Sequence, residues 1–235
     1  MVETKKNAAG GKKLEGIARE LIALRIANEL QDGTYVNLGI GIPTLVSNWI
    51  EGRDIVLQAE IGMLNTGPLA QDNEIDQDCI NASCQPVKEL PGCCFFSDCE
   101  SMAMIRGGYM DVAVLGALQV SEKGDLAGWN NPERGFPEHI GNIGGSMDLA
   151  VGARKVIVAM EHTTKDGGFK VVKKCTYPVT AVGVVKLIVT DLAVIDVTEK
   201  GLVLREVAPG LTAEDVQSVT EPKLIISPDL KEIQL

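Results

Sequence analysis

Aromatic side chains are rare in this 235-residue chain: Phe, Trp and Tyr together make up 4% of it. A core built without them must come from Val, Ile, Leu and Ala. That suits the tight aliphatic layers of an α/β sheet covered on both faces. Histidine is scarcer still, with His139 and His162 the only two. None of the six cysteines (Cys79, Cys84, Cys93, Cys94, Cys99 and Cys175) forms a C-x-x-C pair. Spacings such as Cys79/Cys84 and Cys94/Cys99, with no histidine close by in sequence, argue against a metal centre. Basic residues are outnumbered, 22 Lys and Arg against 32 Asp and Glu, for a net charge of −10. A binder of phosphate backbones would need clustered Lys and Arg, so nucleic acid is not an expected partner. No apolar run approaches the ~20 residues of a membrane span, so no membrane partner is expected. The polar, lysine-bearing stretch 1–13 lacks the apolar centre of a secretory signal. We therefore expect a cytoplasmic protein with reduced thiols.

What is present is a chain that is 45% hydrophobic and large enough to bury a core without staples. Residues 1–13 read as a flexible tail, and 14–235 as a single domain. Helical spacing of Leu14, Ile17, Ala18, Leu21, Leu24 and Ala27 predicts a helix over 14–30, stopped at Asp32-Gly33. Strands are expected at 34–38, 54–59, 111–118, 155–160, 184–190 and 193–197, with shorter ones at 170–175 and 224–227. Leu202 to Val207 should pair with 193–197 as a hairpin. Ser97 to Glu100 and Thr212 to Asp215 fit capping boxes opening two further helices. Strands alternating with helices through the first half predict an open, mainly parallel α/β sheet covered by helices, with an antiparallel edge.

Three stretches invite a chemical reading. The apolar run Ile55 to Leu57 leads to a single carboxylate, Glu60, followed by glycines and a proline at Gly62, Gly67 and Pro68. Open α/β sheets place ligands at such strand ends, but Glu60 taken alone reads more readily as a loop-edge glutamate. Asn37-Leu38-Gly39-Ile40-Gly41-Ile42-Pro43 joins a strand to a helix N-terminus, a geometry suited to anions. It lacks the third glycine of a dinucleotide fingerprint, so a nicotinamide cofactor is disfavoured. Gly144-Gly145-Ser146 follows a long Pro/Gly/Asn-rich loop at 128–143. It offers unobstructed backbone N–H groups of the kind an oxyanion needs, or is an ordinary connection. Asp72, Glu74, Asp76 and Asp78 read as a solvated acidic face rather than a calcium loop. His162, at a strand end, reads as a structural hydrogen-bonder rather than a base.

Order and spacing of several stretches resemble one family. They are Asn37 to Pro43, Gln58-Ala59-Glu60-Ile61-Gly62, Leu90-Pro91-Gly92 and Ile105-Arg106-Gly107-Gly108. They continue with Val114 to Val120, Gly144 to Leu149, Lys155 to His162 and Leu187 to Leu192. From about Leu14 to Ile226 the chain is similar to the β (B) subunit of the family I CoA transferases, the 3-oxoacid and acetoacetate CoA-transferase group. That resemblance implies the fold of this family, with Glu60 as catalytic nucleophile and Asn37, Gly39, Gly41, Gly144, Gly145 and Ser146 at the substrate. It implies coenzyme A as substrate with no cofactor and no metal, short carboxylic acids and their CoA esters as ligands, and an α subunit in an α2β2 assembly. The implied reaction moves CoA between a short 3-oxo acid such as acetoacetate and a short-chain fatty acid such as acetate or butyrate. Two features depart from the family pattern. Ala59 and Ile61 replace the usual Ser and Asn beside the glutamate, and the stretch 132–137 before Gly144 is longer. A CoA-ester hydrolase or ring-opening lyase on the same fold, or a structural subunit without turnover, are the alternative readings. Retention of Glu60 argues against the lyase.

Overall fold

The computed structural model describes residues 14–133, 141 and 143–235; the expected tail at 1–13, His139 and much of the 128–143 loop lie outside the described residues. In chain order the strands are β1 (Thr34–Leu38), β2 (Ile55–Ala59), β3 (Met63–Leu69), β4 (Val87–Phe95), β5 (Val112–Leu115), β6 (Gln119–Ser121) and β7 (Leu126–Ala127). Next come β8 (Lys155–Met160), β9 (Val171–Val172), β10 (Val185–Thr190), β11 (Ala193–Thr198), β12 (Gly201–Val207) and β13 (Ile225–Glu232). The α-helices are α1 (Arg19–Ala27), α2 (Asp98–Arg106), α3 (Ser146–Gly152) and α4 (Ala213–Ser218), with a 3-10 helix at Ile42–Trp49.

Ten strands form one sheet in the order β13-β12-β11-β10-β8-β5-β1-β2-β3-β4. Its centre, β10-β8-β5-β1-β2, is parallel throughout. Side chains alternate across it, as the two-residue strand period requires. Val112 and Val114 of β5 join the core beneath α1, while Ala113 and Leu115 join the core on the opposite face. β8 divides in the same way, Ile157 and Ala159 to one side and Val156 and Val158 to the other. Burial on both faces is why these strands read as unbroken apolar runs.

The expected mainly parallel α/β sheet is present, but antiparallel pairing occurs at both flanks rather than one. β11 and β12 form the expected hairpin on one side. On the other, β2, β3 and β4 pair antiparallel. The sequence pattern does not announce β3 and β4, because Asn65, Gly67 and Pro68 look like turn residues. They are instead accommodated by register shifts between β3 and β4 at Leu64/Thr66 and Thr66/Leu69, and Asn65 takes a φ of 65°. Irregular strand pairing of this kind tolerates a proline. α1 is also shorter than its periodicity suggests. Residues 14–18 are not helical, because Ile17 N–H donates to Asp191 O at 2.8 Å and Gly16 lies against the Asp191 side chain. Tertiary contact there overrides a helical pattern. Both capping boxes form, at Ser97/Glu100 and Thr212/Asp215.

Two buried polar clusters fix the helices to the sheet. Arg25 of α1 donates from Nε to Glu206 Oε2 at 2.7 Å and from Nη2 to Glu206 Oε1 at 2.9 Å, with Arg25 5% and Glu206 1% exposed. Glu29 accepts from both Arg25 and Arg205. His162, just past β8, is fully buried, its Nδ1 and Nε2 each 2.9 Å from Thr190 Oγ1 and Thr220 Oγ1. Thr220 Oγ1 donates onward to Val216 O, so it accepts from Nε2–H; Thr190 Oγ1 accepts the N–H groups of Leu192 and Ala193, and its one proton has Nδ1 at 2.9 Å as the nearer acceptor and Ala193 O at 3.2 Å as the farther. One donor and one acceptor suit the neutral ring. Burial pushes the imidazole down to about 4. Its structural reading agrees with this geometry.

Two outcomes follow. Arg25→Met leaves Glu206 buried with only the longer Lys231 contact at 3.9 Å and is expected to cost about 3 kcal/mol in urea unfolding, most of it recovered in Arg25→Met/Glu206→Leu. His162 binds a proton more readily unfolded than folded. It therefore lowers stability as pH falls from the ordinary histidine value of 6.5 toward about 4. Unfolding free energies measured across that window are expected to fall more steeply for the wild type than for His162→Gln.

Candidate active site

Glu60 and Ile61 stand at the tip of a tight turn. Ala59 of β2 pairs with Met63 of β3, so Glu60, Ile61 and Gly62 alone connect the two strands. Gly62 has a φ of 120°, donates to Ala59 O at 3.0 Å, and a Cβ there would run into the Phe96 carbonyl. Only glycine fits both demands. The turn holds the two side chains before it in place at the carboxyl end of a parallel strand, where open sheets bind ligands.

Glu60 Oε1 accepts the backbone N–H of Gly145 at 3.1 Å. Gly145 lies immediately before α3 and comes so close that a Cβ would stand 2.9 Å from Glu60 Oε2 and 3.0 Å from Met102 Cε. α3 in turn packs on α2: Gly152 abuts the Ile105 carbonyl, and Arg106 Nε donates to Asp148 Oδ1 at 2.7 Å. The two helices thus set the distance between the Gly145 amide and the carboxylate.

Gly39, Glu60, Gly144 and Ser146 line one cavity of about 480 Å³. The remaining residues named from sequence lie around it. Gly41, at a φ of 90°, donates its N–H to Ser83 Oγ at 3.2 Å and so anchors the 70–86 excursion rather than facing the cavity. Asn37 is buried, and its Nδ2 donates to Gln58 O at 3.0 Å and Gln58 Oε1 at 2.6 Å. Gln58 Nε2 donates on to Ser101 Oγ at 2.7 Å. A buried amide chain therefore ties β1, β2 and α2 together two residues before Glu60. Sequence reasoning does not single out Gln58 or Ser101. An amide side chain in an otherwise apolar strand is the available signal, since buried polar groups need partners.

The excursion between β3 and β4 contributes Ile80, Asn81, Ala82 and Cys84 to the cavity wall. Its acidic residues suggest only a solvated face when read along the chain. Asp76, Cys79 and Glu89 there bring their side-chain ligand atoms within 4.8 Å of one another. Cys79 Sγ donates to Glu89 Oε1 at 3.1 Å, and that bond pushes the thiol up to about 11, so it stays protonated at neutral pH. All six cysteines are free thiols. A larger cavity of about 570 Å³ is lined by Arg19, Glu161, Lys165 and Asp191. There Arg19 pairs with Glu161 at 2.7 Å and Asp191 accepts the His162 backbone N–H, so Arg19, Glu161 and Asp191 are occupied structurally. Among the described residues no helix is long and apolar enough to cross a membrane.

A carboxylate held by one backbone amide at the mouth of an apolar cavity can act as a nucleophile on an activated carbonyl. Comparison with known proteins gives the family. The family model described as coenzyme A transferase matches residues 19–218. The B subunit of the 3-oxoadipate CoA-transferase of Pseudomonas putida is 46% identical over 209 residues, covering 89% of this chain and 97% of that one. The beta subunit of the acetate CoA-transferase of Escherichia coli K12 is 44% identical over 214 residues, covering 91% and 96%. Among solved structures, the acyl-CoA transferase apoenzyme of Escherichia coli O157:H7 superposes with a TM-score of 0.70 at 22% identity; the match covers 94% of this chain and 44% of that one, so this fold accounts for under half of that larger chain. With its match running from α1 to the end of α4 and relatives at this identity over nearly their full length, the chain belongs to the coenzyme A transferase family and is an enzyme of that kind.

Proposed function

We propose that the chain is the β subunit of a transferase that moves CoA between a short 3-oxo acid such as acetoacetate and a short-chain fatty acid such as acetate or butyrate, with Glu60 as covalent nucleophile. The observation that carries this reading is the Glu60 carboxylate, 3.1 Å from the Gly145 N–H, at the lining of the 480 Å³ cavity. The relatives' designations as B and beta subunits support an α partner, assigned here as α2β2. Acetate is named for the Escherichia coli relative and 3-oxoadipate for that of Pseudomonas putida. Coenzyme A is a substrate in this scheme and no cofactor is required. The six free thiols support a cytoplasmic setting.

Each step exchanges one leaving group for another. A Glu60 oxygen attacks the thioester carbonyl, the C–S bond breaks and CoA thiolate departs, leaving an acyl-glutamyl anhydride. The thiolate attacks the glutamyl carbonyl and expels the donor acid, leaving a glutamyl-CoA thioester. The acceptor carboxylate then runs the two steps in reverse. Because the anhydride and thioester stay activated, no acyl energy is lost unless water intervenes. One Glu60 oxygen becomes the glutamyl carbonyl oxygen, and the Gly145 N–H that it accepts now would stabilise the negative charge developing there. A preorganised donor of this type is worth ~3 kcal/mol, about 10²-fold in rate. The buried Asn37–Gln58–Ser101 chain contributes by fixing the strand that delivers Glu60. Gly39, Gly144 and Ser146 meet the substrate along the wall.

Incubation of the complex of this chain and its α partner with acetoacetyl-CoA, followed by intact-mass and peptide analysis, is expected to show a CoA-sized adduct on Glu60 that discharges on adding acetate. Glu60→Ala should show neither adduct nor transfer; full activity in that variant would sink the reading. Gly145→Ala, which places a methyl against the carboxylate, is expected to reduce kcat by roughly 10²-fold with little change in melting temperature.

A further inference from the structure

Among the described residues, almost no charge lines the cavity that holds Glu60. Among the described residues lining it, Glu60 and Cys84 are the sole ionisable groups; no Lys, Arg or His is present. The wall is formed largely by Ile40, Ile61, Ile80, Leu118, Ile143 and Leu149. Its polar side chains are already engaged in part. Thr180 Oγ1 accepts the Gly128 N–H at 3.1 Å, and Asn81 Oδ1 accepts the N–H groups of Ser83 and Gln85.

Ile61 has a special place in this wall. It follows the nucleophile directly in a turn whose backbone is set by Gly62 and by the Ala59–Met63 pair, so its Cα is held next to the reacting centre. Yet its side chain is 51% exposed, an uncovered β-branched group beside a carboxylate. An acyl chain entering the cavity would cover it.

We infer that Ile61 is a specificity-determining residue, and that with the apolar wall around it this site selects monocarboxylic acids with a short apolar chain and rejects dicarboxylic acids such as succinate. The inference rests on the transferase reading of Glu60. One carboxylate of any substrate takes part in the exchange and is neutralised as it becomes acyl. A second carboxylate stays ionised. It would lose water against Ile61 and its neighbours, with no cation among the described residues of this wall to meet it. Rejection by an unpaired charge is the repulsive half of specificity. The apolar chain of a fatty acid meets no such penalty and gains from covering Ile61 and Ile80.

The test compares acceptors in the complex of this chain with its α partner, using one acyl-CoA donor and either butyrate or succinate. The expected result is a kcat/KM for butyrate on the order of 100-fold above that for succinate. Ile61→Arg, which puts a cation where the second carboxylate would lie, is expected to narrow that ratio by about tenfold or more. Comparable rates with succinate and butyrate in the wild type would overturn the proposal while leaving the transferase reading intact. An unchanged ratio in Ile61→Arg that still forms the CoA adduct on Glu60 would remove Ile61 from the selection and overturn the assignment. Absence of both transfer and adduct with every acid would instead strike the transferase reading itself, and this inference with it.

Discussion

One contact organises the molecule: the Glu60 carboxylate against the Gly145 backbone N–H, 3.1 Å apart and separated by 85 residues. A nucleophilic carboxylate has to be held without being neutralised. A lysine or arginine would hold it by pairing, but would also lower its reactivity and compete with substrate. A single amide orients it and leaves three lone-pair directions free. The cost is tolerance, because a fixed amide has no side chain with which to adjust. The distance has to come from the packing of whole elements.

The sheet supplies one half of that distance and the helices the other. β1 and β2 lie parallel, with Val36, Ile55 and Leu57 in the core beneath α1, so the end of β2 is placed by a large aliphatic core. The amide chain from Asn37 through Gln58 to Ser101 ties that strand end to α2. α2 then sets α3 through Gly152 against Ile105, and α3 begins where Gly145 meets Glu60. Glycine recurs along this route for one steric reason. At Gly62, Gly145 and Gly152 a Cβ would occupy space already filled by a carbonyl, a carboxylate or a neighbouring helix.

Arg25–Glu206 and His162 show the same arrangement away from the site. Each is a buried polar group whose partners come from distant parts of the chain, and each joins the elements that cover the sheet to its strands. Their burial costs desolvation and is tolerated because their hydrogen-bonding needs are met. Such clusters specify one arrangement of layers where aliphatic packing alone would permit several.

Much of the fold is legible along the chain. β1 and β8 can be placed to the residue, and β2, β10, β11 and β12 nearly so: β8 and β10 are continuous aliphatic runs buried on both faces, β12 alternates, and β1 is bounded by glycine turns on either side. Both capping boxes declare themselves in four residues. Glu60 and the glycines at 39, 41, 144 and 145 are recognisable because order and spacing survive in sequence. What only the tertiary structure decides is what each of those residues faces. Asn37 and Gly41 look alike as loop residues of one motif, yet one is buried on Gln58 and the other anchors the 70–86 excursion through Ser83. β3 and β4 hide behind Asn65, Gly67 and Pro68, since a strand with irregular pairing has no simple period. The role of the excursion as a cavity wall, with Ile80 lining the same cavity as Ile61, depends on contacts between residues far apart in sequence. Periodicity reports which face of an element is apolar; what covers that face is set by how the layers come together.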